Sequence, residues 1–377
     1  PRPAGATAPG VVAVVKANAY GHGAEKVARA LEDAGADLLA VADLEEGAAL
    51  RAAGVEAEIL IFGALSVSDL DYLFSCRLTP TISTPGTARA LQAAAERYGR
   101  RLRYHLKIDT GMNRLGFRFD NLRRTLPELL ASRNLELDAV YTHFGTADDP
   151  ESPLFGEQRA RFEAALREIA SLAPPGRGKP HYVHASNSAA FLRDSRVWYD
   201  RVRPGLLLYG IVPPPLATTI PLEPAMTLVS RVVAVKGIRA GEGVGYGMRF
   251  VAAGPRTIAT IPAGYADGID LRLARGGAVL IRGRRAPVVG AVSMDMLAAD
   301  VTGIAVSPGD EVVILGSQGE DRLEVREMAA IIGKRQWFNV PPADIIGRLK
   351  GDINYGNGRT AKDESLRMKF WADHASY

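Results

Sequence analysis

Across the first 210 of its 377 residues the chain carries eight short apolar or β-branched runs at regular intervals. They are VVAVVK (11–16), DLLAVA (37–42), EILIFG (58–63), LTPTIS (78–83), LRYHLKID (102–109), LDAVYTHF (137–144), HYVHASN (181–187) and VRPGLLLYG (202–210). Between most of them lie stretches with helical spacing, rich in Ala, Leu, Glu and Arg: AEKVARALEDAG, LEEGAALRAAG, TPGTARALQAAAERYG and EQRARFEAALREIASLA. Eight strand–helix units predict an α/β fold, a parallel TIM-like (β/α)8 barrel. An open doubly wound sheet offers no reason for the number eight.

The texture changes at VPPPLATTIPLEP (212–224), a proline-rich crossing. Beyond it come short alternating runs broken by glycine and proline, as in antiparallel sheet: AMTLVSRVVAVKGI, RTIATIPAG, GAVLIRGRRAPVVGAVSMDMLAAD and DEVVILG. The expected division is a barrel over 1–220 and a mainly β domain over 221–377, with one short helix at REMAAIIG (326–333). The stretch 334–377 departs from that texture, and its polar GNGRTAKDES run is expected to be disordered.

Composition narrows the class. Hydrophobic residues make up 47% and charged residues 23%, which fits a globular chain and excludes disorder, collagen and coiled coil as its dominant character. No apolar run approaches the roughly 18–20 residues of a membrane span. The opening PRPAGATAPG has no apolar signal core, so export is not expected. The single cysteine, Cys76, allows no internal disulfide and no CxxC metal centre, so no metal is expected and a reducing cytoplasm is. The 46 basic against 42 acidic residues are not gathered into a stripe, so nucleic-acid binding is not expected, whereas attraction to small anions is in keeping with the charge.

In such a barrel the active site lies at the carboxyl ends of the strands. Lys16, Lys107 and Asp109, His143, and the run His184 to Ser188 all fall there, and Arg203 opens the eighth run. A lysine closing an apolar strand loses solvation and favours a neutral, nucleophilic amine that can form a Schiff base with a carbonyl cofactor. The plain alternative is a lysine that snorkels to solvent. Asn187 and Ser188 open a short helix, SAAFLR, and Pro204-Gly205-Leu206 can bring backbone amides close to an anion. Ser188 as an ordinary N-cap is compatible with that role.

VVKANAYGHG (14–23), KIDTGMNRLGF (107–117), YTHFGTAD (141–148), HASNSAA (184–190), VRPGLLLYG (202–210), GVGYG (243–247), GYADG (264–268) and VSMDM (292–296), in this order, resemble the alanine racemases. These are pyridoxal 5'-phosphate (PLP) enzymes, and the resemblance spans roughly residues 11–333. It implies interconversion of L- and D-alanine for peptidoglycan by two bases, Lys16, which also holds the cofactor, and Tyr246 on the other face. Tyr246 is implied to arrive from a partner subunit, hence a head-to-tail homodimer with shared sites. Arg203 is implied to face the pyridine nitrogen, with His184 holding that arginine, and His143 to pack on the ring. Tyr20, Asn187, Ser188, Gly205 and Leu206 are implied cofactor-phosphate contacts. Arg114, Tyr265 and the backbone of Met294 would meet the substrate carboxylate. Lys107, a lysine often carboxylated in the family, would support Arg114, and Asp295 would sit beside the access channel.

Other readings stay open on the residues alone. His22 is expected to be structural, and His105 to be a satisfied inter-strand histidine; Tyr209 and Tyr265 could be core or rim aromatics. Two departures stand out. The sequence begins fifteen residues before Lys16, where the family is expected to carry a further strand and helix, and no Arg-Val-Pro-Arg motif is read after Gly333. A racemase for serine or lysine, a related aldolase or decarboxylase, a cofactor binder without activity and an impaired family member are the rivals. The tyrosine of GVGYG speaks against the decarboxylases, and the second domain against the binder.

Overall fold

The computed structural model describes residues 8–36, 38–65, 70–174 and 179–332, and the backbone of 367–370. Two compact units emerge, Pro1–Ala19 with Gly23–Leu222 and Tyr20–His22 with Glu223–Tyr377.

The first unit is a closed barrel of eight parallel strands: β1 (Gly10–Val14), β2 (Leu38–Val41), β3 (Glu58–Ile61), β4 (Thr79–Ile82), β5 (Leu102–Asp109), β6 (Leu135–Tyr141), β7 (Tyr182–His184) and β8 (Arg201–Val202). Neighbours pair in chain order, and β1 with β8 closes the ring through Val11 against Val202. Strands covered on both faces must be apolar throughout, and every residue of β2 is buried. Asp43 caps helix Leu44–Ala52 by accepting from the Glu46 amide, and Thr84 caps Pro85–Arg97 by accepting from Thr87.

The eighth run is strand only at Arg201–Val202. Pro204 has no amide hydrogen to continue the ladder, and Leu206–Tyr209 winds into a 3-10 turn. One irregularity matters for the interior. Leu137 pairs with Tyr104 and Ala139 with His105, so Asp138 is the extra residue of a bulge in β6. Bulges re-aim side chains, and this one brings Asp138 to His105.

The second unit is an antiparallel sheet in the order Ala234–Ile238, Arg256–Ile261, Leu297–Asp300, Arg284–Val289, Ala278–Ile281, Glu311–Gln318, Met226–Arg231, Arg367–Phe370. Its core gathers Met226, Leu228, Ile261, Val279, Ile281, Val312 and Ile314. The expected helix runs Val325–Ile331. The expectation of disorder at GNGRTAKDES falls outside the described residues; beyond 332 only Arg367–Phe370 is described, paired with Met226–Val229.

Candidate active site

Lys16 follows β1 and opens an unusual turn. Ala17, Asn18, Ala19 and Tyr20 all have φ between 52 and 54°, a left-handed helical turn built without glycine. Each such L-residue costs roughly 1–2 kcal/mol, so the surroundings must hold it. Glu46 does so by accepting from the Ala17 amide (2.6 Å) and the Ala42 amide (2.8 Å). The Asn18 side chain accepts from the Ala24 amide at 2.7 Å. His22 is buried with Nδ1 3.1 Å from the Tyr20 carbonyl, a structural role as expected. Burial pushes the Tyr20 hydroxyl up to about 12.

Four cations meet at this mouth of the barrel. Burial lowers the Lys16 amine, Arg114 lowers it further, and Glu46 opposes both. Lys107 is buried, 5.5 Å above the Tyr141 ring, and is pushed down to about 8 by burial and by Arg114, Arg203 and Lys16. Arg114 is exposed on the loop after β5. That loop turns back tightly: Asp109 accepts from the amides of Gly111 and Asn113, and a Cβ on Gly116 would stand 2.7 Å from the Asp109 nitrogen.

Arg203 is 3% exposed and caged by acceptors. Nη1 donates to His184 Nδ1 (2.8 Å), and Nη2 to the Thr142 and Ala185 carbonyls (2.8 and 2.9 Å). Burial brings its guanidinium to about 10, so it stays charged at neutral pH. Burial and the surrounding cations hold both His143 and His184 well below the usual imidazole range, hence neutral. Tyr141 stacks on His184 at 4.7 Å.

The helix Ser188–Arg193 is capped by Asn187, which accepts from Ala190; Ser188 is therefore not the cap. Its hydroxyl instead accepts from the amides of Gly205 (3.0 Å) and Leu207 (3.4 Å), because Asn187 alone has the extended backbone a cap needs. Tyr209 is core, its hydroxyl donating to Val14, and His105 is fully buried and bonded as expected.

In the second unit Tyr246 is 78% exposed, on a 3-10 turn between Gly245 and Gly247, both at positive φ. Tyr265 and Met294 are exposed neighbours: Tyr265 donates its amide to Ser293, and a Cβ on Gly264 would meet the Met294 carbonyl at 2.1 Å. Asp295 is exposed on the same loop.

Three contributors escaped the sequence reading. Glu46 could have been found from Asp43-Leu-Glu-Glu46, the spacing of a capping box. Gln158, buried, donates to the His143 carbonyl and accepts from Gly145, fixing the loop after β6, and nothing local marks it. Asp138 is concealed by its bulge. Among the described residues no helix is long and apolar enough to cross a membrane.

The family described as "Alanine racemase, N-terminal domain" matches residues 4–213, and "Alanine racemase, C-terminal domain" matches 225–339. The chain is 43% identical over 327 residues to an alanine racemase of Carboxydothermus hydrogenoformans, covering 85% of this chain and 86% of that one. It is similar to the crystal structure of alanine racemase from E. faecalis, at 34% identity and TM-score 0.81 over 90% of both chains. It also resembles that from Bartonella henselae with covalently bound pyridoxal phosphate, at 28% identity and TM-score 0.78 over 90% of both.

Proposed function

This chain belongs to the alanine racemase family, and on that premise we propose how its residues divide the work of interconverting L- and D-alanine. The activity is that of an isomerase and the cofactor is PLP.

The observation that carries the reading is the crowding of Lys16, Lys107, Arg114 and Arg203 around a neutral His143. Like charges so placed repel, and among the described residues only Glu46 and Asp109 oppose them within the shifts of the two lysines. A ligand with a phosphate and a phenolate, joined by a substrate carboxylate, supplies the missing negative charge. Lys16 would hold the cofactor's carbonyl carbon, His143 its ring face and Arg203 its ring nitrogen. Ser188, Gly205, Leu206, Asn187 and Tyr20 would hold its phosphate. When bound, the cofactor draws electrons from the α-carbon of the amino acid.

Lys16, its amine pushed down by burial and by Arg114, takes or returns the α-proton on one face, and Tyr246 serves the other. Arg203, which keeps its charge, would disfavour a proton on the ring nitrogen of a bound cofactor and so favour prompt return of the α-proton. Arg114, Tyr265 and the Met294 amide orient the carboxylate, Lys107 supports Arg114, and Asp295 borders the approach. The units 1–220 and 221–377 act as cofactor and base-donating domains. We further infer a homodimer whose two copies exchange Tyr246, working in the cytoplasm to feed D-alanine to peptidoglycan synthesis. The exposed Tyr246 supports the exchange.

The test is circular-dichroism racemisation of a panel of L-amino acids by the cofactor-loaded protein. Alanine should react fastest, and Lys16→Ala should lose both the visible absorbance of the bound cofactor and all turnover. A faster reaction with serine or lysine, or a borohydride-reduced adduct on another lysine, would overturn the assignment.

A further inference from the structure

Behind Arg203 a line of buried polar groups crosses the barrel interior. His184 Nε2 lies 3.1 Å from His105 Nδ1, and His105 Nε2 lies 2.8 Å from the Tyr182 hydroxyl. Asp138 Oδ1 stands 2.8 Å from Nδ1 of His181, which reaches the surface. Oδ2 has no hydrogen bond and lies 3.5 Å from His105 Nε2, a distance for charge attraction rather than a bond.

The direction of each bond follows from its ends. Arginine only donates, so His184 Nδ1 accepts, and a neutral His184 must carry its hydrogen on Nε2. That hydrogen goes to His105 Nδ1, which forces the His105 hydrogen onto Nε2 and toward Tyr182. The Asp138 carboxylate, 3.5 Å from the same Nε2, favours the His105 hydrogen there by charge. Every link points the same way, from the guanidinium to the Tyr182 hydroxyl. Burial alone would raise the Asp138 carboxyl, but His105 and His181 beside it hold it below the usual carboxylate range. Glu58 and Asp138 come close enough to His105 to suggest a metal, yet Arg103 already bridges both carboxylates at 3.6 and 3.5 Å.

We propose that Tyr182, His105 and Asp138 are positioning residues, which lock the His184 ring as an acceptor and thereby aim Arg203. The role assigned to Arg203 rests on the function proposed above; the lock itself does not. Reversing any link would turn a hydrogen of His184 toward Arg203, where two donors would face each other.

Nitrogen-15 NMR of the histidine-labelled resting protein near neutral pH tests the lock without substrate or cofactor. Both His184 and His105 should appear neutral with hydrogen on Nε2; a charged ring, or one with hydrogen on Nδ1, overturns the inference. Tyr182→Phe should mix the His184 tautomers and lower kcat for racemisation about tenfold, with KM within about twofold. A single unchanged tautomer or an unchanged kcat in that variant also overturns it. If Tyr182→Phe does not fold, Asp138→Asn gives the same readouts with the volume preserved. Should the protein racemise no amino acid, the tautomers still decide this inference while the functional reading falls separately.

Discussion

Lys107 spends most of its side chain among groups that disfavour its charge. Its amine moves from 10.5 to about 8, through burial first and then through Arg114, Arg203 and Lys16. The unfolded chain therefore holds this proton to higher pH than the folded one. Between about pH 8 and 10.5 the unfolded state binds more protons, so stability rises with pH in that window, and below it the full penalty applies. Lys107→Met should raise the stability of cofactor-free protein at pH 7 by ~1–2 kcal/mol. Denaturant melts should show that advantage fading toward pH 10.5; a constant advantage would mean the lysine's charge is not the cause. A partly neutral amine also reacts with carbon dioxide, forming a carbamate and releasing a proton. Bicarbonate should then stabilise the wild-type protein and leave Lys107→Met unmoved, since the carbamate anion would meet three cations.

At the scale of elements, the left-handed turn after β1 holds Lys16 in place, and Glu46 holds the turn. Glu46→Ala removes the acceptor of two backbone amides, a cost of ~1–3 kcal/mol. The Ala17 amide should lose protection from hydrogen exchange, and racemisation should fall with it; Glu46→Gln, which keeps one acceptor oxygen, should recover part of both. Unchanged protection in Glu46→Ala would show that the turn stands without its clamp. This turn also marks how far the sequence could be read. The eight strands were legible because buried parallel strands must be apolar, and β5 matches its run to the residue. The turn was not, because Ala-Asn-Ala-Tyr has no local preference for positive φ; tertiary bonds impose it. That Arg203, Lys16 and His184 lie at the strand ends of one barrel mouth was legible from motif and strand end together. Asp138 was not: a bulge changes which face a residue meets, and no residue within β6 announces one. The eighth run was read too long because its apolar LLLY suits a 3-10 turn as well as a strand.

At the scale of the molecule, the second unit leaves Tyr246, Met248, Met294 and Met296 exposed on loops that touch one another. A Cβ on Gly245 would stand 3.4 Å from Ala291, and Tyr265 bonds Ser293. Exposed apolar side chains gathered on neighbouring loops mark a contact surface, and the proposed occupant is a second copy. The arrangement makes a quantitative prediction. Lys16→Ala and Tyr246→Ala proteins should each be inactive alone. If each site takes its lysine from one subunit and its tyrosine from the other, a mixed dimer contains one site with both lesions and one with neither. Equal amounts unfolded and refolded together form mixed dimers in about half of cases, so activity should return to about a quarter of wild type. If lysine and tyrosine came from the same chain, every site would carry a lesion and no activity would return. Dilution of the wild-type protein should likewise lose activity as dimers part, while Lys16 keeps the cofactor absorbance, because the proposed cofactor contacts all come from one chain. Regained activity of about a quarter, measured by racemisation after refolding, separates a shared site from a self-contained one without requiring the dimer to be seen.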